Sequence, residues 1–119
     1  MGKKILIVDD SATARLLVKM CLNKIGDFEI IEAGTGEKAL ELARLESVDI
    51  CILDYNMPVM VGTELARELQ KVCKEVSYIL ITANMQQAVI SEAEDVGFSA
   101  FIEKPVDGKK ISEALEKIQ

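Results

Sequence analysis

Five side chains capable of chemistry stand where apolar runs stop. Asp9 and Asp10 close Ile5-Leu6-Ile7-Val8, Asp54 closes Ile50-Cys51-Ile52-Leu53, Thr82 follows Tyr78-Ile79-Leu80-Ile81, and Lys104 comes just after Phe98–Ile102. Runs of this kind, without polar alternation, read as strands buried on both faces, the signature of a parallel sheet whose carboxyl ends share one rim. Carboxylates gathered on a rim repel: at an effective dielectric near 20, two of them about 4 Å apart cost on the order of 4 kcal/mol. Such a cluster must protonate, pair with cations or bind a metal. Oxygen donors without sulfur or imidazole suit a hard cation such as Mg²⁺, which commonly bridges carboxylate to phosphate. A hydroxyl (Thr82) and an ammonium (Lys104) on the same rim would complete a site for a phosphoryl group. Taken singly, each residue has an ordinary reading: Asp-Asp as a helix cap, Thr as the end of a strand, Lys before Pro as surface. Their convergence at strand ends is what favours chemistry.

The elements that position them alternate along the chain. Strands are expected over Lys3–Val8, Phe28–Ala33, the run Val48 to Leu53, Ser77–Ile81 and Phe98–Ile102. Between them lie helical patterns. The first is capped by Ser11 or Asp10, ends near Gly26 and has one face of Leu17, Cys21 and Ile25, with Arg15, Lys19 and Asn23 on another. The second turns Ala39, Leu40 and Ala43 inward; the third carries a stripe of Leu65, Ala66, Leu69, Val72 and Cys73; the fourth ends at Gly97 as a C′ residue; the last shows Ile111, Ala114, Leu115 and Ile118. Pro58 and Asn56 take the chain out of the sheet after Asp54. Five strand–helix alternations with short connections call for a parallel sheet between helices, joined by right-handed crossovers. Four strands deliver reactive side chains to the rim; the second, ending in Ala33-Gly34, contributes nothing evident.

With 119 residues and no linker or low-complexity segment, residues 1–119 are expected to form one module. The composition, 50% apolar and 29% charged, is that of a soluble globular chain. A net charge of −6 without a Lys/Arg cluster argues against nucleic-acid binding, and the apolar runs are too short to span a membrane. Lys3-Lys4 before Ile5–Val8 imitates a signal peptide, but Asp9-Asp10 stop the apolar stretch too soon. Cys21, Cys51 and Cys73 read as buried reduced thiols of a cytosolic protein. There is no histidine, which excludes imidazole ligands, imidazole bases and phosphohistidine in this chain.

Together Leu6-Ile7-Val8-Asp9-Asp10-Ser11, Leu53-Asp54-Tyr55-Asn56-Met57-Pro58 with Gly62, Ile81-Thr82-Ala83 and Lys104-Pro105 resemble the receiver domain of two-component response regulators, nearest the single-domain chemotaxis type. The resemblance covers essentially the whole chain. It implies a flavodoxin-like α/β fold, five parallel strands in the order 2-1-3-4-5 flanked by five helices; a chemotaxis receiver is a standard example of that order. It further implies that Asp54 accepts a phosphoryl group from a histidine kinase. Asp10, Asp54 and the Asn56 backbone carbonyl would bind Mg²⁺, with Asp9 helping. Thr82, the Ala83 backbone N–H and Lys104 would hold the phosphoryl oxygens, and the Lys104–Pro105 peptide would be cis. Thr82 and Phe101 would switch the face of the fourth helix, fifth strand and fifth helix. Asn56 and Asn84 would tune self-dephosphorylation. The implied role is signalling in the cytoplasm rather than enzymatic turnover, with a kinase, possible phosphatase and a target such as a flagellar motor switch as partners, or a place in a phosphorelay.

One departure stands out. Val61 occupies a position usually acidic or polar in the family, so Val59-Met60-Val61 is an unusually apolar loop that either folds onto the domain or offers a partner contact. Phe101 also lacks the hydroxyl of the tyrosine often found there. Rival readings are a small-molecule phosphohydrolase with an Asp nucleophile, a flavin- or nucleotide-binding domain, and a receiver that has lost phosphorylation. The first lacks a cap domain. The second would need a Gly- or Ser/Thr-rich cradle where Asp9-Asp10 stand. The third is opposed by the presence of every expected site residue type.

Overall fold

The computed structural model describes residues 2–57 and 60–118. Strands β1 (Lys4–Val8), β2 (Glu29–Ala33), β3 (Ile50–Asp54), β4 (Ser77–Thr82) and β5 (Phe98–Glu103) alternate with helices α1 (Ala12–Ile25), α2 (Gly36–Leu45), α3 (Gly62–Val72), α4 (Gln87–Val96) and α5 (Gly108–Lys117). The strands are parallel in the order β2-β1-β3-β4-β5, the order expected. Successive side chains of a strand point to opposite faces, so each central strand feeds two cores. Leu6, Val8, Cys51, Leu53 and Leu80 face α2, α3 and α4 with Leu65, Ala66, Leu69 and Ala93. Ile5, Ile7, Ile52, Ile79 and Ile81 face α1 and α5 with Val18, Leu22, Ile111 and Leu115. Every residue of β3 is buried, Asp54 included. The strand most completely enclosed by apolar surface thus ends in a carboxylate. No helix among the described residues is long and apolar enough to cross a membrane.

Side chains cap three of the five helix N-termini. The Ser11 hydroxyl accepts from the Ala14 N–H, Thr35 from Lys38 and Asp107 from Lys110, each satisfying an orphan first-turn donor. Gly97, at φ +120°, closes α4 by donating to the Ala93 and Glu94 carbonyls.

The burial of α1 differs from expectation. Its buried residues are Val18 and Leu22, whereas Leu17 and Ile25 are exposed, as are Leu16 and Met20. Apolar residues spread over more than half the circumference of this helix, so periodicity alone does not select a stripe; packing against α5 and the sheet does. In α3, Val72 is exposed at the helix end, while Leu65, Ala66 and Leu69 are buried as anticipated. Of the cysteines, only Cys51 is fully buried; Cys21 and Cys73 are half-buried, and all three are free thiols.

The turn after β3 is set by close approach. Tyr55 N–H donates to the Ile81 carbonyl at 2.9 Å, and Gly62 N–H returns to the Tyr55 carbonyl at 2.8 Å. A Cβ on Gly62 would lie 2.7 Å from the Asp54 carbonyl oxygen and 3.2 Å from the Tyr55 Cα, both backbone atoms that cannot swing aside. Gly62→Ala is therefore expected to destabilise the fold by about 2 kcal/mol, read from a urea unfolding midpoint at unchanged slope.

Of the apolar loop, Met60 is half-buried and packs against the core on the α2–α3 side, close to Gly36 at the start of α2. Val61 is the N-cap position of α3 and supplies no side-chain cap. Pro58 and Val59 lie outside the described residues. At Met60, then, the loop folds onto the domain.

Candidate metal and phosphoryl site

The parallel order brings the ends of β1, β3, β4 and β5 to one rim, and with them the residues singled out from sequence. Asp9, Asp10 and Asp54 each offer a carboxylate oxygen, and these oxygens lie within 4.8 Å of one another. Asp54 (3% exposed) and Asp9 (6% exposed) are buried, and Asp10 is exposed. The Asp9 carboxylate accepts from the Ser11 N–H at 2.9 Å.

Lys104 Nζ lies 2.9 Å from Asp54 Oδ1. The distance is that of a charge-assisted ion pair, and Oδ1 is otherwise buried without a partner. Burial pushes the Asp54 carboxyl above the ordinary carboxylate range; Lys104 opposes the shift, and the Asp10 charge adds to it. Asp9 is pushed up chiefly by burial, eased by the Ser11 N–H and reinforced by Asp54. Burial alone would lower the Lys104 ammonium, yet the facing carboxylates, Asp54 foremost, hold it above its usual value. One ammonium thus faces three clustered carboxylates. The donor set is all oxygen and short of positive charge, so it fits a hard divalent cation.

Thr82 ends β4 and is 1% exposed. Its hydroxyl is turned onto its own loop, accepting from the Asn84 N–H at 2.9 Å and lying 3.3 Å from the Asn84 carbonyl, instead of reaching Asp54. Ala83 and Asn56 are exposed beside the site. The Lys104–Pro105 peptide is cis, and Lys104 N–H donates to the Thr82 carbonyl at 3.0 Å, tying the fifth strand's exit to the fourth's. Phe101 is half-buried against the α2–α4 side of the core.

Sequence reasoning missed the contribution of β2. Arg15 Nη1 donates to the Asp9 carbonyl at 2.6 Å, while its Nε donates to Glu32 Oε1 at 3.1 Å. A signal for this was present: position 15 lies one turn beyond the Ser11 cap, and helical side chains lean toward the N-terminus, here over the rim.

In open, doubly wound parallel sheets the crevice outside the carboxyl ends of the strands is where ligands bind, and the acidic cluster and ion-paired lysine stand at that rim. The chain belongs to the response regulator receiver domain family, whose pattern it matches over residues 5–116. It is 36% identical over 118 residues to the chemotaxis protein CheY of Thermotoga maritima, covering 99% of this chain and 98% of the relative. It is also 32% identical over 117 residues to sporulation initiation phosphotransferase F of Bacillus subtilis, covering 98% and 94%. Among solved structures, chemotaxis protein CheY4 of Vibrio cholerae superposes with a TM-score of 0.92 at 28% identity over the full length of both chains.

Proposed function

We propose that this protein is a phosphoacceptor response regulator in which Asp54 takes a phosphoryl group from a histidine kinase. The carrying observation is the Asp54 carboxylate itself, buried at the end of β3 among clustered carboxylates with the Lys104 ammonium 2.9 Å away. A carboxylate needs no general base, since it is ionised at neutral pH. Its oxygen attacks phosphorus, the N–P bond to the donor imidazole breaks with its electron pair going to nitrogen, and an acyl phosphate forms. Asp10, Asp54 and the Asn56 backbone carbonyl, helped by Asp9, would hold Mg²⁺, which supplies charge for phosphoryl oxygens. Lys104 neutralises a further oxygen, and the Thr82 hydroxyl and Ala83 N–H donate to the others once Thr82 leaves Asn84.

That movement of Thr82 opens space beside Phe101, whose inward rotation remodels the face of α4, β5 and α5 for a partner. The chain promotes only its own phosphorylation and dephosphorylation, with Asn56 and Asn84 beside the water approach. The CheY relatives favour a chemotaxis output such as a flagellar motor switch, with a phosphatase resetting the signal. The phosphotransferase relative keeps a phosphorelay as the second reading. The module is residues 1–119, acting in the cytoplasm. Incubation with a small phosphodonor with and without Mg²⁺, followed by intact mass, tests this: one acid-stable, base-labile phosphoryl group should appear only with Mg²⁺. Repeated turnover of phosphate esters would support a phosphohydrolase instead.

Metal linkage gives a further expected outcome. Burial holds both Asp9 and Asp54 above the ordinary carboxylate range, so their ionisation opposes folding. In metal-free buffer their contribution to stability is lost as pH rises from the ordinary carboxylate value through the raised ones. Mg²⁺ binds the ionised form, so its increment in Tm should be negligible in acid and grow as pH rises to neutrality. Thermal scans with and without Mg²⁺ across that range check the sign.

A further inference from the structure

We infer that Arg15, anchored by Glu32, is a positioning residue for the acidic cluster, an inference that rests on the reading of this cluster as a Mg²⁺ site. The carbonyl that Arg15 Nη1 grips at 2.6 Å belongs to the peptide joining Asp9 to Asp10. Fixing that peptide fixes the Cα of both carboxylate residues. The rest of the turn is held from other directions: Asp9 N–H donates to the Ala33 carbonyl at 3.2 Å, and the Asp9 side chain accepts from Ser11. Among the described residues no hydrogen bond holds the exposed Asp10 side chain, so its aim toward Asp9 and Asp54 depends on its backbone.

Arg15 is itself held in place. Its Nε donates to Glu32 Oε1 at 3.1 Å, and Lys19 Nζ engages Glu32 Oε2 at 3.2 Å, so both carboxylate oxygens are occupied. The Arg15 side chain is only 19% exposed. A Cβ on Gly34 would lie 3.2 Å from Arg15 Nη1, so the absence of a side chain at the end of β2 leaves the guanidinium its room. The second strand thus serves the site without sending a group to the metal: Glu32 and Gly34 place Arg15, and Arg15 places Asp9 and Asp10. Because Glu32 balances its charge, the guanidinium acts here through geometry more than through repulsion of a cation. Groups that orient metal ligands from outside the coordination sphere are commonly worth 10- to 100-fold in metal affinity.

Calorimetric titration of the unphosphorylated chain of residues 1–119 with MgCl₂ tests the inference. Arg15→Met keeps an apolar stem but no donor, and is expected to bind Mg²⁺ about 10-fold more weakly than the natural chain. Arg15→Lys, which keeps one donor for the Asp9 carbonyl, should fall between the two. A purely structural Arg15 would lower the metal-free Tm of Arg15→Met while leaving its Mg²⁺ affinity unchanged, and that result overturns the inference. Tighter binding in Arg15→Met would overturn it too, by showing the guanidinium to be a repelling charge. If Arg15→Met does not fold, Arg15→Lys carries the test at unchanged charge: weaker Mg²⁺ binding supports the role and unchanged binding refutes it. Failure of the natural chain to bind Mg²⁺ at all would refute the underlying metal-site reading, and this inference with it; normal binding there with unaltered affinity in the variants refutes this inference alone.

Discussion

Asp54→Asn is expected to take up no phosphoryl group under conditions in which the natural chain takes up one. An amide has nearly the volume of a carboxylate, so β3 and its packing should persist; only the nucleophile is removed. The remaining carboxylates are poor substitutes. Asp9 is engaged by the Ser11 N–H, and Asp10 is exposed to solvent, where a phosphoryl group would lack the enclosing rim. Loss of labelling with an unchanged circular dichroism spectrum and cooperative unfolding is the expected result. In metal-free buffer the variant sheds a buried charge whose ionisation opposes folding but also loses the Lys104 pairing, so the two effects offset. Its stability should accordingly stay near that of the natural chain, while the Mg²⁺-dependent rise in Tm shrinks.

Lys104→Met should separate the two duties of the lysine. Without the ammonium, Asp54 faces Asp9 and Asp10 with no cation in contact. Breaking a fully buried ion pair is costly, on the order of 3–5 kcal/mol; with the Lys104 side chain 38% exposed, solvent reduces this to about 1–2 kcal/mol. The loss should appear at neutral pH in metal-free buffer. It should fade as pH falls through the carboxylate range, because Lys104 opposes the burial-driven rise of the Asp54 carboxyl and its contribution vanishes once that group is protonated. Mg²⁺ should recover much of the stability by replacing the missing charge. It should not recover the rate: removing a preorganised donor to a transferring group typically costs about 10²- to 10³-fold. Time courses of phosphodonor labelling at saturating Mg²⁺ would show slow labelling of a folded protein.

The rim was legible in the sequence because strand ends are. An unbroken apolar run that ends in a polar or charged residue marks both a buried parallel strand and where it stops, so the sequence alone places Asp9, Asp54, Thr82 and Lys104 on one edge. What periodicity does not carry is rotation. The apolar residues of α1 admitted a buried face of Leu17, Cys21 and Ile25, whereas packing chose Val18 and Leu22. Side-chain direction was equally out of reach: Thr82 stands at the expected strand end but bonds to Asn84. The second strand looked empty because its contribution is indirect. Glu32 lies inside a strand and Arg15 inside a helix, and only the pairing of β2 beside β1, with α1 following β1, makes them one unit with Asp9. Such relays depend on tertiary contacts between residues whose local sequence gives each an ordinary explanation.

The central claim is that Asp54 forms an acyl phosphate, and reductive mapping tests it most directly. After labelling with a small phosphodonor in Mg²⁺, borohydride reduces an acyl phosphate to an alcohol, converting the modified aspartate to homoserine. Peptide mass spectrometry should find homoserine at position 54 and nowhere else, and none when Mg²⁺ is omitted. Homoserine at Asp9 or Asp10, or a phosphoryl group that survives borohydride on a hydroxyl such as Thr82, would contradict the account.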